Sequence, residues 1–253
     1  MDRTRLLDEP RSKRRLTEEE LPCEDGEKVE TFWHWLQMVF LRETIARLYA
    51  DWFVGANLFV YFDENQVKTR NFRGPDFFVV KGAVKKRKPR LSWVIWEEHK
   101  APNVIIELSS PSTENEDLGP KKLIYQDVLK TPEYFLFHPS GKLLGFKLVN
   151  GLYQRITPDK TGRLISEELG LALRVWKGPY SDVAMSVWLR WETLDGVLLP
   201  TEREHEEQAL HREQHALHRE QRALQREEQQ RRQAERFRAL LKAHGIDPDI
   251  EKK

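Results

Sequence analysis

VIIELS, at residues 104–109, is a short apolar run with a single acid, Glu107, inside it. Its β-branched residues predict a buried strand. A buried carboxylate is costly unless it is paired or bound to a metal, so an acid at this position is informative. Strand alternation places Ile105 and Glu107 on one face, which favours burial of the acid. A second interpretation, a strand edge with the acid in solvent, stays open.

Runs of similar character flank this segment and predict further strands. Two of them precede it and three follow it, and all are rich in apolar and aromatic residues. The turn Asn150-Gly151 joins the last two runs and is typical of a tight β-hairpin. The predicted strands are residues 58–62, 76–80, 104–108, 134–137, 143–148 and 152–156.

Two other segments show helical spacing. Residues 30–48 place apolar side chains three, four and seven apart, the pattern of an amphipathic helix. Residues 117–130 repeat the pattern, and Pro120 fits their first turn, where a missing N–H costs little. This order of elements predicts an α+β fold, with a mixed sheet flanked by helices.

The distribution of tryptophan and charge predicts where the folded body ends. All eight tryptophans lie between Trp33 and Trp191, whereas residues 201–244 are rich in both charges and nearly free of aromatic residues. We therefore expect a loosely ordered N-terminal arm at 1–27, one domain at 28–200 and a charged helical tail at 201–253.

Composition excludes several classes of protein. The chain has 42 Lys and Arg against 41 Asp and Glu, one cysteine, Cys23, and no apolar window long enough to span a membrane. A lone cysteine rules out an intrachain disulfide framework and a zinc site built from several cysteines. We expect a cytoplasmic protein without membrane segments.

The tail repeats every seven residues, with one adjacent Ala-Leu pair in each repeat. That period is typical of a coiled coil, but the apolar seam is narrow, so a solvated helix is an equal alternative. A homodimer through the body or the tail is open. Histidines recur here and could hold a metal, although a polar helix face is the simpler interpretation; they are His205, His211, His215, His218 and His244.

A second acid precedes Glu107 by about thirty residues. Asp76 follows Pro75 at the start of a predicted strand, where alone it would be an ordinary turn residue. The order Pro75-Asp76 and then Glu107 resembles the Pro-Asp…(Asp/Glu)-x-Lys nuclease superfamily. Ser109 stands where that pattern has lysine.

The surrounding sequence resembles one bacterial group within that superfamily. RGPDFFVV at 73–80, VIIELSSPST at 104–113 and PEYFLF at 132–137 are similar to the Uma2-like restriction-endonuclease family. The likeness runs from about residue 21 to 171. It implies a restriction-endonuclease-like fold and a nuclease active site in the same part of the chain.

The resemblance also assigns roles. Asp76 and Glu107 would hold Mg²⁺ or Mn²⁺, with the Leu108 carbonyl as a third ligand, because hard cations prefer oxygen. The active-site lysine of the family lies on the following helix, where Lys121 matches. Lys121 is favoured over its neighbour Lys122 because residues 117, 121 and 125 share one helical face. Supporting candidates are Glu30, Ser109, Asp117 and Tyr125.

A basic stretch follows the Asp76 strand. Asp76 is the sole acid between residues 68 and 90, where Lys and Arg are frequent. These charges could contact a phosphate backbone without reading its sequence, or they could belong to a solvated loop. The candidates for the DNA backbone are Lys85, Lys86, Arg87, Lys88 and Arg90.

These observations predict a metal-dependent endonuclease that hydrolyses DNA, with Asp76, Glu107 and Lys121 as catalytic residues. The alternative is an inactive DNA-binding or assembly module on the same fold, and the absence of a lysine at Ser109 keeps it open.

Overall fold

The computed structural model describes residues 31–48, 51–63, 72–84 and 88–245. The chain divides into two compact units, Met1–Leu199 and Pro200–Lys253. The expected N-terminal arm, residues 1–27, lies outside the described residues. Within the described ranges, no helix is both long enough and apolar enough to cross a membrane.

The first unit contains three helices and eleven strands among its described residues. Helix α3, residues 114–128, is one α-helical turn, Glu114–Glu116, continued by two π-helical stretches, Asp117–Lys121 and Ile124–Val128. The other elements are α1 (Phe32–Ile45), α2 (Ile95–Glu98), β1 (Phe53–Ala56), β2 (Val60–Tyr61), β3 (Phe77–Val80), β4 (Trp93–Val94), β5 (Val104–Leu108), β6 (Glu133–Phe137), β7 (Leu143–Val149), β8 (Leu152–Arg155), β9 (Leu164–Ser166), β10 (Leu171–Tyr180) and β11 (Val183–Thr193).

A six-stranded mixed sheet forms the centre, in the order β1-β3-β5-β6-β7-β8. Strands β5 and β6 are parallel and α3 connects them, as a parallel pair requires a crossover. The remaining neighbours in this sheet are antiparallel. The α+β prediction is confirmed, and β5, the strand that carries Glu107, lies in the interior of the sheet.

A second sheet, β11-β10-β9, was not predicted from the sequence. Its long strands carry Arg174, Lys177, Arg190 and Glu192 among apolar residues, which obscures the alternation expected of a strand. Several of these charges have partners inside the fold; Glu192, for example, binds two arginines. The predicted strands of the central sheet were found with bounds close to those expected, while β1 was missed.

Helix α1 packs against both sheets. Its apolar residues Met38, Leu41 and Ile45 join a core with side chains from β3, β5 and β11. Polar side chains also fix the helix, because Trp33 Nε1 donates to Val187 O and Gln37 exchanges two hydrogen bonds with the backbone of Leu189. The helix is therefore held in one position relative to the sheets.

The second unit is one long helix, α4, spanning Glu202–Ala243. A capping box begins it: Glu204 N donates to Thr201 Oγ1, and Thr201 N donates to the Glu204 carboxylate. Leucines repeat at seven residues along it, and each is more than half exposed: Leu210, Leu217 and Leu224. The helix ends before Gly245, whose φ of +75° suits a helix C-terminus.

Candidate active site

Two neighbouring strands bring the predicted acids to the same edge of the central sheet. In the antiparallel β3–β5 pair, Phe77 lies opposite Ile106, so Asp76 comes next to Glu107. The backbone N–H of Leu108 donates to Asp76 Oδ2 at 2.6 Å. The first acid is therefore fixed to the strand that carries the second.

Glu107 is fully buried, which excludes the solvent-exposed alternative. Ile105 and Glu107 share the face of β5 that α3 covers. The Tyr125 hydroxyl, on α3, donates to Glu107 Oε1 at 2.5 Å. Strand alternation thus predicted the correct face, and the tyrosine satisfies one of the two carboxylate oxygens.

Lys121 reaches the same acid from α3. Its Nζ lies 3.4 Å from Glu107 Oε2 and 2.9 Å from Asp117 Oδ1. Asp117 is itself buried, and the Tyr134 hydroxyl donates to its carbonyl oxygen. The structure therefore brings Glu107, Asp117, Lys121 and Tyr125 together, as the four-residue spacing of the last three predicted.

The helix that presents Lys121 is irregular. Gly119, with φ −107° and ψ −106°, breaks the helical geometry, and Pro120 begins the next turn. The backbone on both sides of this kink has π-helical hydrogen bonding, which is frequent at functional sites. Pro120 therefore occupies a first turn, as expected, but within a kinked helix.

Burial dominates the electrostatics of the site. It raises the pKa of Glu107 to about 8 against the opposing effect of Lys121, and Asp76 and Asp117 add to the rise. Burial alone would lower the pKa of Lys121, but Glu107 and Asp117 outweigh it and raise that pKa above its ordinary value. The site therefore favours the charged form of Lys121 and disfavours the charged form of Glu107.

His34 is a member of the site that the sequence gave no reason to select. Its Nε2 lies 2.9 Å from Asp76 Oδ1, and the two side chains are 14% and 10% exposed. Helix α1 brings it there from more than forty residues away in the chain. No local pattern marks such a contact, since a histidine in an amphipathic helix is unremarkable by itself.

Several of the residues described above line a cleft at the edge of the central sheet. Residues from α1, the end of β5 and α3 all contribute to its wall. The lining residues are Thr31, His34, Asp76, Leu108, Ser110, Thr113, Asp117 and Lys121.

Two predicted neighbours are arranged differently. Ser109 is buried, and its backbone N–H donates to Phe137 O of β6. Because its side chain is uncharged, this position supplies no cation. Lys122 Nζ lies 4.0 Å from the centre of the Phe146 ring, and burial lowers its pKa. Lys121 and Lys122 thus have distinct environments despite their adjacency.

The predicted DNA-backbone contacts divide into three cases. Lys85, Lys86 and Arg87 lie outside the described residues, as does Glu30. Lys88 is exposed. Arg90 is different, because its guanidinium forms an ion pair with Glu98 and stacks on two aromatic rings of the fold. That side chain is only 6% exposed, so we do not retain Arg90 among the proposed DNA contacts.

The donor set fits a hard divalent cation with few protein ligands. Glu107 Oε2 and Asp117 Oδ1 are buried oxygens without a hydrogen bond, although both are close to Lys121. Mg²⁺ is commonly bound by one or two carboxylates together with waters and substrate phosphate. Among residues 31–48, 51–63, 72–84 and 88–245, no set of three or more His, Cys, Asp or Glu side chains is arranged to hold a metal. Such a set is absent from the tail histidines as well, including His211 and His215, whose rings lie 4.4 Å apart.

The chain is similar to a described protein family and to a solved structure. A family model described as "Uma2: Putative restriction endonuclease" matches residues 26–186. Among solved structures, the chain is similar to the crystal structure of "a putative nuclease belonging to DUF820" from Anabaena variabilis. That match has 13% identity and a TM-score of 0.38, and it covers 58% of this chain and 90% of the other. No curated protein matches the chain.

Proposed function

Because the chain belongs to the Uma2 family of "Putative restriction endonuclease" proteins, we propose that it is a metal-dependent endonuclease that hydrolyses DNA phosphodiester bonds. The catalytic residues of this proposal are Asp76, Glu107 and Lys121. The fold positions these three residues, but a fold alone does not establish an activity.

One observation carries the proposal. Lys121, on α3, places its ammonium 3.4 Å from Glu107, whereas the strand position that would carry a lysine holds Ser109. In this proposal, Lys121 of the helix takes the role that a lysine of the strand would have. This arrangement favours an active site over the inactive alternative.

Asp76 and Glu107 would hold the divalent cation, with Leu108 O as a third ligand. When bound, such a cation supplies Lewis acidity and lowers the pKa of its bound water. We choose Mg²⁺ or Mn²⁺ because the candidate ligands are all oxygens.

The side chains of the site would bind the phosphate and orient the catalytic groups. Lys121 would bind the scissile phosphate and stabilise the negative charge that develops on it, in a cleft where that charge is poorly screened. Tyr125 would hold the Glu107 carboxylate in one orientation through its 2.5 Å hydrogen bond. Asp117 would hold Lys121 towards the cleft through its ion pair.

DNA would be bound through its backbone. The basic residues after β3 would contact phosphates, with Lys85, Lys86, Arg87 and Lys88 as the group we retain. Contacts of this kind give affinity without base readout. We place the enzyme in the cytoplasm, where DNA is accessible to it.

The test is cleavage of supercoiled plasmid and of circular single-stranded DNA, with Mg²⁺, with Mn²⁺ and without metal. We expect the wild type to nick or linearise DNA only with metal. Asp76→Asn and Glu107→Gln should lower the rate by at least about 100-fold. Glu116→Gln is the matched control, because Glu116 is an exposed acid of α3, and this variant should cleave normally.

Two outcomes would overturn the proposal. Equal rates from wild type and both site variants would show that the cleavage arises elsewhere. Absence of cleavage with every metal, together with retained DNA binding in a mobility-shift assay, would support the inactive DNA-binding module instead.

A further inference from the structure

We infer that His34 is a positioning residue for Asp76, and that it sets the affinity of the site for its divalent cation. This inference rests on the proposed function, since it concerns the same metal site. It assigns α1 a part in the chemistry as well as in the core.

The Asp76 carboxylate is contacted from two sides. Leu108 N–H donates to Oδ2 at 2.6 Å, and His34 Nε2 lies 2.9 Å from Oδ1. The first contact is a hydrogen bond, whereas the second is a close ion-pair approach of the imidazole ring. Each oxygen keeps a further lone pair for a metal, and rotation of the carboxylate would break one of the two contacts.

The position of His34 is fixed by the residues around it on α1. Its backbone N–H donates to the side chain of Thr31, which caps the helix. One residue earlier, Trp33 bonds to the backbone of β11, and three residues later Gln37 does so twice. His34 therefore stands between two anchors of the helix, and it can impose its position on Asp76.

The local charge explains why Asp76 needs such a contact. Asp76 and Asp117 both act on the buried Glu107, and Lys121 is shared between Glu107 and Asp117. No ion pair joins Lys121 to Asp76 within the described residues. The His34 ring lies against the other oxygen of Asp76 and keeps this carboxylate turned towards its partner acid. Side chains that orient a ligand in this way typically change metal affinity by about 10- to 100-fold when removed.

The experiment measures Mn²⁺ binding by titration calorimetry on the purified full-length chain, without DNA. His34→Leu removes the polar contact with Asp76, and we expect a Kd about 10- to 100-fold weaker. His34→Gln places an amide N–H at a similar reach and should stay within about threefold of wild type. His205→Gln, an exposed histidine of α4, is the control and should bind like wild type.

A second readout separates positioning from a general structural role. The concentration of Mg²⁺ that gives half-maximal cleavage should rise in His34→Leu by the same factor as the Kd, while the rate at saturating Mg²⁺ recovers. Wild-type Mn²⁺ affinity in His34→Leu would overturn the inference. Equal weakening in His34→Leu and His34→Gln, accompanied by equal losses in melting temperature, would also overturn it. If the wild type bound no Mn²⁺ at all, the proposed function itself would fail.

Discussion

Two buried acids, Glu107 in the central sheet and Glu192 in the three-stranded sheet, have opposite electrostatic environments. Both are fully buried. Arg174 and Arg163 bind the Glu192 carboxylate, and these hydrogen bonds, that of Arg174 first, lower its pKa despite burial. Burial raises the pKa of Glu107, whose nearest cation, Lys121, is shared with Asp117.

Glu192 stabilises the fold, whereas burial of Glu107 lowers the stability of the fold. Glu192 has both carboxylate oxygens bound to guanidinium groups. Glu107 keeps one buried oxygen without a hydrogen bond. A buried acid with a perturbed pKa beside a cleft is typical of catalytic sites, where stability is lower than the same fold could reach. Substitution of Glu107 should therefore mainly reduce cleavage, whereas substitution of Glu192 should mainly reduce stability.

The largest expected difference is in catalysis. Glu107→Gln should reduce metal-dependent cleavage by at least about 100-fold, because it removes a proposed ligand charge. Glu192→Gln should leave cleavage per folded molecule within about twofold, since Glu192 lies in the three-stranded sheet and is paired with Arg163 and Arg174. Rates normalised to the folded fraction, measured by circular dichroism, would check both. Similar losses in the two variants would remove the distinction between the two acids.

The next prediction compares two adjacent lysines. Lys121→Met should lower the cleavage rate about 100-fold, because it removes the cation beside Glu107. Lys122→Met should lower it by less than about threefold, since the Lys122 ammonium contacts the Phe146 ring instead. Single-turnover cleavage at saturating metal measures the two rates. A greater loss in Lys122→Met would move the proposed role to that lysine.

Stability should change in opposite directions at the two acids. Glu192→Gln removes the anion paired with Arg174, while Arg163 keeps its ion pair with Asp159, and it should lower the free energy of unfolding by about 2–3 kcal/mol. Glu107→Gln removes a buried ionisable group and should raise it by about 1 kcal/mol in metal-free protein at pH 8. Urea unfolding with EDTA gives both values. Destabilisation of several kcal/mol in Glu107→Gln would show that Glu107 is a structural acid.

The dependence of stability on pH should also differ in sign. The raised pKa of Glu107, about 8 against 4.5 in the unfolded chain, means that the folded state binds the proton more tightly. Its contribution is complete below pH 4.5 and is lost as pH rises towards 8. The lowered pKa of Glu192 stabilises above pH 4.5, and this contribution is lost as pH falls below that value.

Urea unfolding of metal-free protein from pH 4 to pH 9 checks the two slopes. The advantage of Glu107→Gln over wild type should grow from pH 5 to pH 8. The deficit of Glu192→Gln should shrink in the most acidic samples. Parallel curves for wild type and Glu107→Gln would contradict the raised pKa.

Parts of this arrangement were predictable from sequence, and the reason is local. Strand alternation predicted the buried face for Glu107, and the four-residue spacing favoured Lys121 over Lys122 on the helix to which the family resemblance pointed, because periodicity fixes which side chains share a face. The run of basic residues did not predict the ion pair of Arg90, since its partner Glu98 and the Phe53 ring lie on other elements.

The rest depends on contacts between distant parts of the chain. His34 meets Asp76, and Arg163 meets Glu192, only after the sheets have formed. Strands β10 and β11 were missed because their charged residues find partners through tertiary packing. The start of α4 is an exception, because its capping box, Thr201-x-x-Glu204, is a local signal in the sequence.

The smallest expected effect concerns the tail. We propose that residues 201–253 contribute little to the body, because the tail contains no tryptophan and its leucines are exposed. Deleting them should shift the melting temperature by less than about 2 °C and leave Mn²⁺ binding intact. Light scattering of both forms tests whether the tail also mediates assembly. Unfolding of the truncated protein would show that the boundary near residue 200 is wrong.

The most direct test of the central claim is a crystal structure of the protein with Mn²⁺, using the anomalous scattering of the metal. The account predicts one strong anomalous peak at coordination distance from the carboxylate oxygens of Asp76 and Glu107. The same peak should be absent from Glu107→Gln crystals prepared identically. No peak at these acids, under conditions in which the protein cleaves DNA, or an undiminished peak in Glu107→Gln, would contradict the claim.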